Sequence, residues 1–201
     1  MSITTLVAER TELSRHPAVG ILTLAFAGDP VIRWIWPDAG RFLQYYPDAA
    51  AMLGEGAFAA GTADIAPGGA GAALWVPPGA SDDSDAAADA AADLIVRSVD
   101  ASRHDEMFGF LEQTQAHHPT RPHWYLPFIG VDPHQQGRGV GSGLMRSALA
   151  RVDTDGLGAY LEATSERNRA LYERHGFVVQ AEIRSATSPP LWPMWREPSI
   201  T

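Results

Sequence analysis

The sequence predicts an α/β domain with a mixed β-sheet. Three observations support this fold class. Residues 123–163 read as strand, helix, strand, which requires two parallel strands. Two short apolar runs flank Pro67-Gly68-Gly69, which predicts an antiparallel hairpin. The chain has 201 residues, of which 45% are hydrophobic, enough for one core. We therefore expect a single domain over residues 1–201.

The first half of the chain is predicted to be rich in helices. Pro17 suits the first turn of a helix over residues 17–27, and Gly28-Asp29-Pro30 is expected to end it. The segment 34–37 is an aromatic turn, and apolar spacing predicts a second helix over residues 42–60. A first strand is expected at residues 3–7.

The hairpin strands are expected at residues 62–66 and 72–76. The Ala/Asp-rich segment that follows favours a helix from residue 81 to about residue 99, because Ser and Asp cap helices well. A further helix is predicted at residues 105–115. The prolines of residues 117–122 then keep the chain extended, so His117 and His118 are expected to be solvated.

The second half alternates strands and helices. Strands are predicted at residues 123–131, 158–163, 177–183 and 191–196, with helices at residues 141–151 and 166–174. Gly176 is placed to close the latter helix.

Composition excludes several classes of function. The net charge is -9, so a broad nucleic-acid-binding role is not expected. The acidity either favours a cationic partner or only keeps the protein soluble. The chain has no cysteine, and its histidines form no recognised metal-ligand spacing, so neither a thiol nucleophile nor a metal is expected. No apolar run is long enough to span a membrane and no signal peptide is visible, so we expect a cytoplasmic location.

The strongest motif is a glycine-rich turn between a strand and a helix, Gln136-Gly137-Arg138-Gly139-Val140-Gly141. Glycine allows the backbone to approach a ligand closely, and the first N–H groups of a helix lack internal partners. Such a turn binds phosphate oxygens. Taken alone, such a turn is weak evidence, and a plain structural turn is the alternative.

The wider pattern resembles the GCN5-related N-acetyltransferase (GNAT) superfamily. Gln136, Gly139 and Gly141 match that family's phosphate-binding motif, and Asn168, Tyr172 and Gly176-Phe177 match its second motif. The resemblance is specific over residues 124–179. Around Tyr160-Leu161-Glu162 it is closest to the puromycin N-acetyltransferase branch.

The resemblance implies a mostly antiparallel sheet with one splayed parallel pair and helices on both faces, and acetyl-coenzyme A bound in the splay. Residues 123–201 would bind this cosubstrate and residues 1–122 the acceptor. The backbone of residues 136–141 would hold the pyrophosphate. The strand edge formed by Phe128, Ile129, Gly130 and Val131 would pair with the pantetheine amides, beside a bulge that Pro127 suits.

The resemblance also implies roles for side chains near the thioester. Asn168 would hydrogen-bond the pantetheine arm. Tyr172 lies one helical turn further and would protonate the departing thiolate. The family's best-known carboxylate base is replaced by Tyr125. Glu162 is therefore a candidate base, a structural role being equally compatible, and a site without a dedicated base is a further alternative.

The predicted function is direct acetyl transfer to the primary amine of a small molecule, with a detoxification role favoured by the puromycin-like branch. A non-catalytic acyl-coenzyme A sensor and a peptide or protein N-acetyltransferase are the alternatives. Aromatic residues of the first half either line an acceptor pocket or form core: Trp34, Trp36, Phe42, Tyr45 and Tyr46. The protein is expected to be a monomer or a homodimer, with residues 191–196 as a possible interface.

Overall fold

The computed structural model describes residues 12–80 and 84–199, so the strand predicted at residues 3–7 lies outside the described residues. The helices are α1 Pro17–Phe26, α2 Pro30–Ile35, α3 Ala39–Leu53, α4 Glu55–Ala59, α5 Asp85–Ser98, α6 His104–His117, α7 Val140–Thr154 and α8 Glu166–Glu173. The strands are β1 Ala63–Ile65, β2 Gly71–Val76, β3 His123–Val131, β4 Gly158–Ala163, β5 Val178–Val179 and β6 Trp192–Arg196. None of the described helices has the length and apolar character needed to cross a membrane.

The strands form one six-stranded sheet in the order β1-β2-β3-β4-β6-β5. Only β3 and β4 are parallel, and the other neighbours are antiparallel. The parallel pair arises because α7 carries the chain from the end of β3 back to the start of β4. The predicted fold class, a mixed sheet that is mostly antiparallel with one parallel pair, is confirmed.

Each face of the sheet packs against its own set of helices. On β2, Ala72, Leu74 and Val76 join the core beneath α1, α3 and α4, whereas Ala73 and Trp75 join the core beneath α7 and α8. This alternation follows from the two-residue period of a strand. The sheet is therefore covered by helices on both sides, and its two faces offer separate surroundings to any site built on it.

A bulge in β3 precedes the opening in the sheet. Leu74 pairs with Phe128 but Val76 pairs with Tyr125, so β3 holds one extra residue between these positions. Pro127 lies in that stretch, where its lack of an N–H costs no ladder bond. Residues 123–125 of β3 pair with β4, and beyond Tyr125 the two strands are no longer paired. The two parallel strands thus separate, as the family resemblance implied.

Three predicted elements differ from the structure. The helix predicted at residues 42–60 is two helices, α3 and α4, that meet at Gly54. Only glycine fits there, because a Cβ at this position would lie 2.5 Å from Leu74 Cδ1 and 2.8 Å from Ala50 O. The aromatic turn predicted at residues 34–37 begins inside a helix, since Trp34 and Ile35 are the last residues of α2 and Trp36 is its C-cap. The strand predicted at residues 177–183 retains only β5 and an isolated Ile183–Leu191 bridge, because Pro193 on the facing strand has no N–H to donate.

Candidate active site

An open groove of about 720 Å3 lies where β3 and β4 separate. Its walls are the end of β3, the following loop, the first turn of α7, one face of α8 and the segment after α1. Most residues predicted from the sequence line it: Ile129, Gly130, Val131, Gln136, Gly137, Gly139, Val140, Gly141, Asn168 and Tyr172. Residues from both motifs therefore meet in one cleft, although they are far apart along the chain.

Three predicted residues do not line the groove. The Phe128 ring is buried in the core, edge-on to Phe26 and Tyr46 at centroid distances of 5.5 and 5.7 Å. Arg138 is exposed. Glu162 lies on the other face of β4 from Leu161, in a separate cluster described below.

Among the described residues, no side chain caps the backbone N–H groups where the glycine-rich loop enters α7 at the groove. Gly139 is the N-cap of α7 with φ +82°, and it supplies no side-chain cap. The N–H groups of the first turn of this 15-residue helix therefore have no capping side chain, and the helix dipole makes this end positive. Arg167 and Arg174 also line the groove. This end of the groove suits a phosphate-containing ligand.

The Gln136 side chain hydrogen-bonds two neighbouring elements and holds the glycine-rich loop in place. Its amide nitrogen donates to Val131 O at 3.3 Å, and its side-chain oxygen accepts from Arg167 Nη1 at 2.8 Å. These contacts tie the loop to the end of β3 and to the first turn of α8. The sequence motif assigned Gln136 to the phosphate loop, and its side chain fixes the loop's position.

Tyr172 lies one turn after Asn168 on α8, and both side chains line the groove. The Tyr172 ring is buried and packs edge-on against Phe177 at 6.1 Å. Burial raises the pKa of the Tyr172 hydroxyl, and the negative charge of Asp29 raises it further. The phenol therefore keeps its proton at neutral pH and is able to donate it.

Asp29 is a groove residue that sequence reasoning missed. Its Oδ1 caps α2, accepting from the N–H groups of Val31 and Ile32 at 3.0 and 3.1 Å. Its Oδ2 accepts from the Thr164 hydroxyl, just beyond β4. Burial raises the pKa of this carboxyl, and these hydrogen bonds oppose that effect. The available signal was Asp29-Pro30, a helix-start pattern that was interpreted only as the end of α1.

Glu162 forms a polar cluster at the narrow end of the splay. Its Oε2 accepts from Tyr125 Oη at 3.0 Å, and its Oε1 lies 3.9 Å from His118 Nδ1. The side chain is 10% exposed, and Oε1 is buried without a hydrogen-bond partner in the described part of the chain. Thr164, two residues further on the same face, bonds Asp29. Glu162 therefore lies roughly 7 Å along the chain from Thr164, which bonds the groove residue Asp29.

The remaining predictions concern aromatics and metal. Three of the aromatic residues are buried in the core beneath α1 and α3, namely Trp36, Phe42 and Tyr46, which favours the core interpretation for them. The other two, Trp34 and Tyr45, are partly buried against that core.

Within residues 12–80 and 84–199, no group of three or more His, Asp or Glu side chains is arranged to hold a metal ion. A second groove of about 990 Å3 beside β5 and β6 contains no predicted site residue.

Known proteins resemble this chain in sequence and in fold. The sequence model of the acetyltransferase (GNAT) family matches residues 72–177. A 78-residue stretch, 37% of the chain, is 40% identical to an uncharacterized N-acetyltransferase of Schizosaccharomyces pombe. An 88-residue stretch, 42% of the chain, is 33% identical to the mycothiol acetyltransferase of Propionibacterium freudenreichii. These matches span 32% and 28% of the two curated relatives, about a third of their length.

Two solved structures with a similar fold match almost the whole chain. One from Corynebacterium glutamicum, described as histone acetyltransferase HPA2 and related acetyltransferase, has a TM-score of 0.59 and 26% identity, covering 96% of this chain and 93% of that one. The arylalkylamine N-acetyltransferase 2 of Aedes aegypti has a TM-score of 0.64 over 94% of this chain and 96% of its own, at 13% identity. The second likeness concerns the fold alone.

Proposed function

The chain belongs to the GNAT family of acetyltransferases, and on that premise we propose that it transfers an acetyl group from acetyl-coenzyme A to the primary amine of a small molecule. The observation that carries this proposal is the groove in the splay. It brings uncapped helix N–H groups, an unpaired strand edge and a protonated tyrosine into one cleft. Acetyl-coenzyme A has a diphosphate, then an amide-containing arm, then the thioester. The helix N–H groups, the strand edge and the tyrosine suit these three parts in that order.

We assign the pyrophosphate to the first turn of α7 and the pantetheine arm to the free edge of β3. Residues 128–131 of β3 pair with β2 on one side and have no partner in β4 on the other. Their free edge is therefore available to the two amides of the arm, as a sheet edge is to a peptide. Asn168 faces the same groove and is placed to hydrogen-bond the arm.

The chemical step needs a proton acceptor and a proton donor. An alkylammonium, with a pKa of about 10.4, must lose one proton before its nitrogen attacks the thioester carbon. We assign this proton to Glu162. When the C–S bond breaks, the thiolate takes the Tyr172 proton, and the phenolate recovers it from the new amide nitrogen. One proton is released in total, and the other remains on the coenzyme A thiol.

The acceptor is proposed to be a cationic amine. Two partly or fully buried carboxylates, Asp29 and Glu162, lie on the same side of β4. The rings of Tyr125 and Tyr160 lie next to Glu162, and their negative faces also attract a cation. Such surroundings disfavour an anionic acceptor. The puromycin-like branch and a detoxification role remain proposals that an amine screen would test.

We expect Glu162→Gln to reduce kcat/KM at pH 7 by about 10²-fold, the contribution typical of general base catalysis. Affinity for acetyl-coenzyme A should not change, because Glu162 lies outside the groove wall. The measurement is thiol release with an amine found by screening, together with calorimetric titration of acetyl-coenzyme A. Glu166→Gln, an exposed position on α8, serves as the matched control. Wild-type activity in the Glu162 variant would remove this residue as the base.

A further inference from the structure

Two histidines extend the Glu162 cluster away from the groove. His118 Nε2 lies 3.2 Å from His123 Nε2, and His123 Nδ1 lies 2.7 Å from the carbonyl oxygen of Arg121. The His118 ring packs edge-on against Tyr125 and Tyr160, each at a centroid distance of 4.8 Å. These contacts fix the orientation of the ring, so each of its two nitrogens has one defined neighbour.

The hydrogen bonds determine which nitrogens carry protons. A carbonyl oxygen only accepts, so His123 Nδ1 must carry the hydrogen that bonds Arg121 O. Burial lowers the pKa of His123, which keeps it neutral at pH 7 and leaves its Nε2 as an acceptor. The contact between the two Nε2 atoms therefore requires a hydrogen on His118 Nε2. In neutral His118, the bare nitrogen is Nδ1.

That bare nitrogen faces a carboxylate oxygen. His118 Nδ1 and Glu162 Oε1 are 3.9 Å apart, and Oε1 has no hydrogen-bond partner among the described residues. Two acceptors face one another here in a setting that is largely shielded from water. A single proton between them would convert this unfavourable contact into a charge-assisted hydrogen bond.

We propose that His118 and Glu162 act as one proton-accepting couple, and that His123 is a positioning residue that holds His118 in the tautomer this requires. The inference rests on the proposed function. The proton lost by the acceptor ammonium passes to the Glu162 carboxylate and comes to rest on His118 Nδ1. The His118 side chain is 23% exposed, so it returns the proton to water before the next turnover.

Other charged and titratable groups around His118 do not compete for this proton. Tyr125 and Tyr160 face the ring, and burial followed by the charge of Glu162 raises the pKa of both hydroxyls. Arg121 stacks over Trp195 at 3.7 Å and pairs with Glu197 at 3.1 Å. His117, next in the chain, is exposed and its Nδ1 bonds Gln113 O at 2.8 Å. The geometry therefore leaves this proton to His118 and Glu162.

The first test is the pH dependence of kcat/KM for His118→Gln, with His117→Gln as the matched control. In the wild type, kcat/KM should rise with pH as the couple loses its proton and then level off. Without His118 we expect a loss of about 10²-fold at pH 7. The variant should then keep gaining roughly tenfold per pH unit towards pH 10, because only the free amine reacts. A second substitution, Glu162→Gln, should add little to this loss, since the two residues act as a unit.

The second test does not depend on activity. In protein labelled with 15N-histidine, neutral His118 should show the Nε2–H tautomer and His123 the Nδ1–H tautomer. His123→Phe should abolish the tautomer preference of His118, and the pH profile of kcat/KM should shift with it. His123→Gln, which still offers an oxygen to His118, should restore both in part.

The outcomes separate this inference from the proposed function. If the wild type binds no acetyl-coenzyme A, the proposed function fails, while the tautomers still test the couple. An active wild type whose pH profile is unaltered by His118→Gln would overturn the couple and leave the transferase intact. An Nδ1–H tautomer of neutral His118 would also overturn it.

Discussion

Gly139→Val should weaken the binding of acetyl-coenzyme A by at least 10²-fold. Gly139 has φ +82° and caps α7 at the floor of the groove. No protein atom lies within 4 Å of a Cβ added there, so the new side chain meets open space in the cleft. It would occupy the position where phosphate oxygens must approach the N–H groups. The loss of two or three charge-assisted hydrogen bonds accounts for a change of this size.

Backbone strain must be separated from this effect. A valine with positive φ costs about 1–2 kcal/mol wherever it occurs. Gly156 offers a matched control, because it has φ +65°, equally open surroundings and a position at the far end of α7. Gly156→Val should lose similar stability in thermal unfolding and keep its affinity for acetyl-coenzyme A. If calorimetry gave the same affinity for both variants, the pyrophosphate would have to bind elsewhere.

Tyr172→Phe should lower kcat by about 10²-fold or more while leaving the affinity for acetyl-coenzyme A nearly unchanged. The substitution keeps the ring, and therefore its packing against Phe177, but removes the proton that the departing thiolate takes. Burial and the charge of Asp29 raise the pKa of this hydroxyl. The wild type should therefore keep the active, protonated form well above the ordinary tyrosine pKa of about 10.

The readouts for this variant are steady-state kinetics and calorimetry. Tyr45→Phe is the control, because Tyr45 is half-buried on α3 outside the groove, next to Arg97 at 5.7 Å. It should retain wild-type kcat. Full activity of Tyr172→Phe would exclude this hydroxyl as the acid. A raised KM for acetyl-coenzyme A at unchanged kcat would instead mean that the Tyr172 hydroxyl contributes to cosubstrate binding and not to catalysis.

The features predictable from sequence are those encoded in contiguous stretches. The loop of residues 136–141 and the pair Asn168 and Tyr172 each depend on local spacing, one in a turn and the other in one helical turn. The fold class was also predictable, because strand and helix periods differ clearly in residues 123–163. The separation of β3 from β4 was anticipated only through the resemblance, with Pro127 as a supporting sign.

The features that escaped prediction depend on contacts between distant parts of the chain. Asp29 meets Thr164 across 135 residues, and its cap on α2 was hidden within an apparent helix stop. His118 was expected to be solvated beside Pro119, yet it packs between two tyrosines and faces Glu162. No local sequence pattern predicts these contacts of His118, because they depend on how the segment before β3 crosses the sheet.

Calorimetric titration of acetyl-coenzyme A into the purified protein tests the central claim most directly. Dephospho-coenzyme A and ATP serve as comparison ligands, since ATP offers phosphates without a pantetheine arm. We expect saturable binding in the micromolar range for both coenzyme A compounds and much weaker binding of ATP, because the groove holds the arm as well as the phosphates. Absence of binding, or equal binding of ATP, would contradict the assignment of the groove and the transferase function with it.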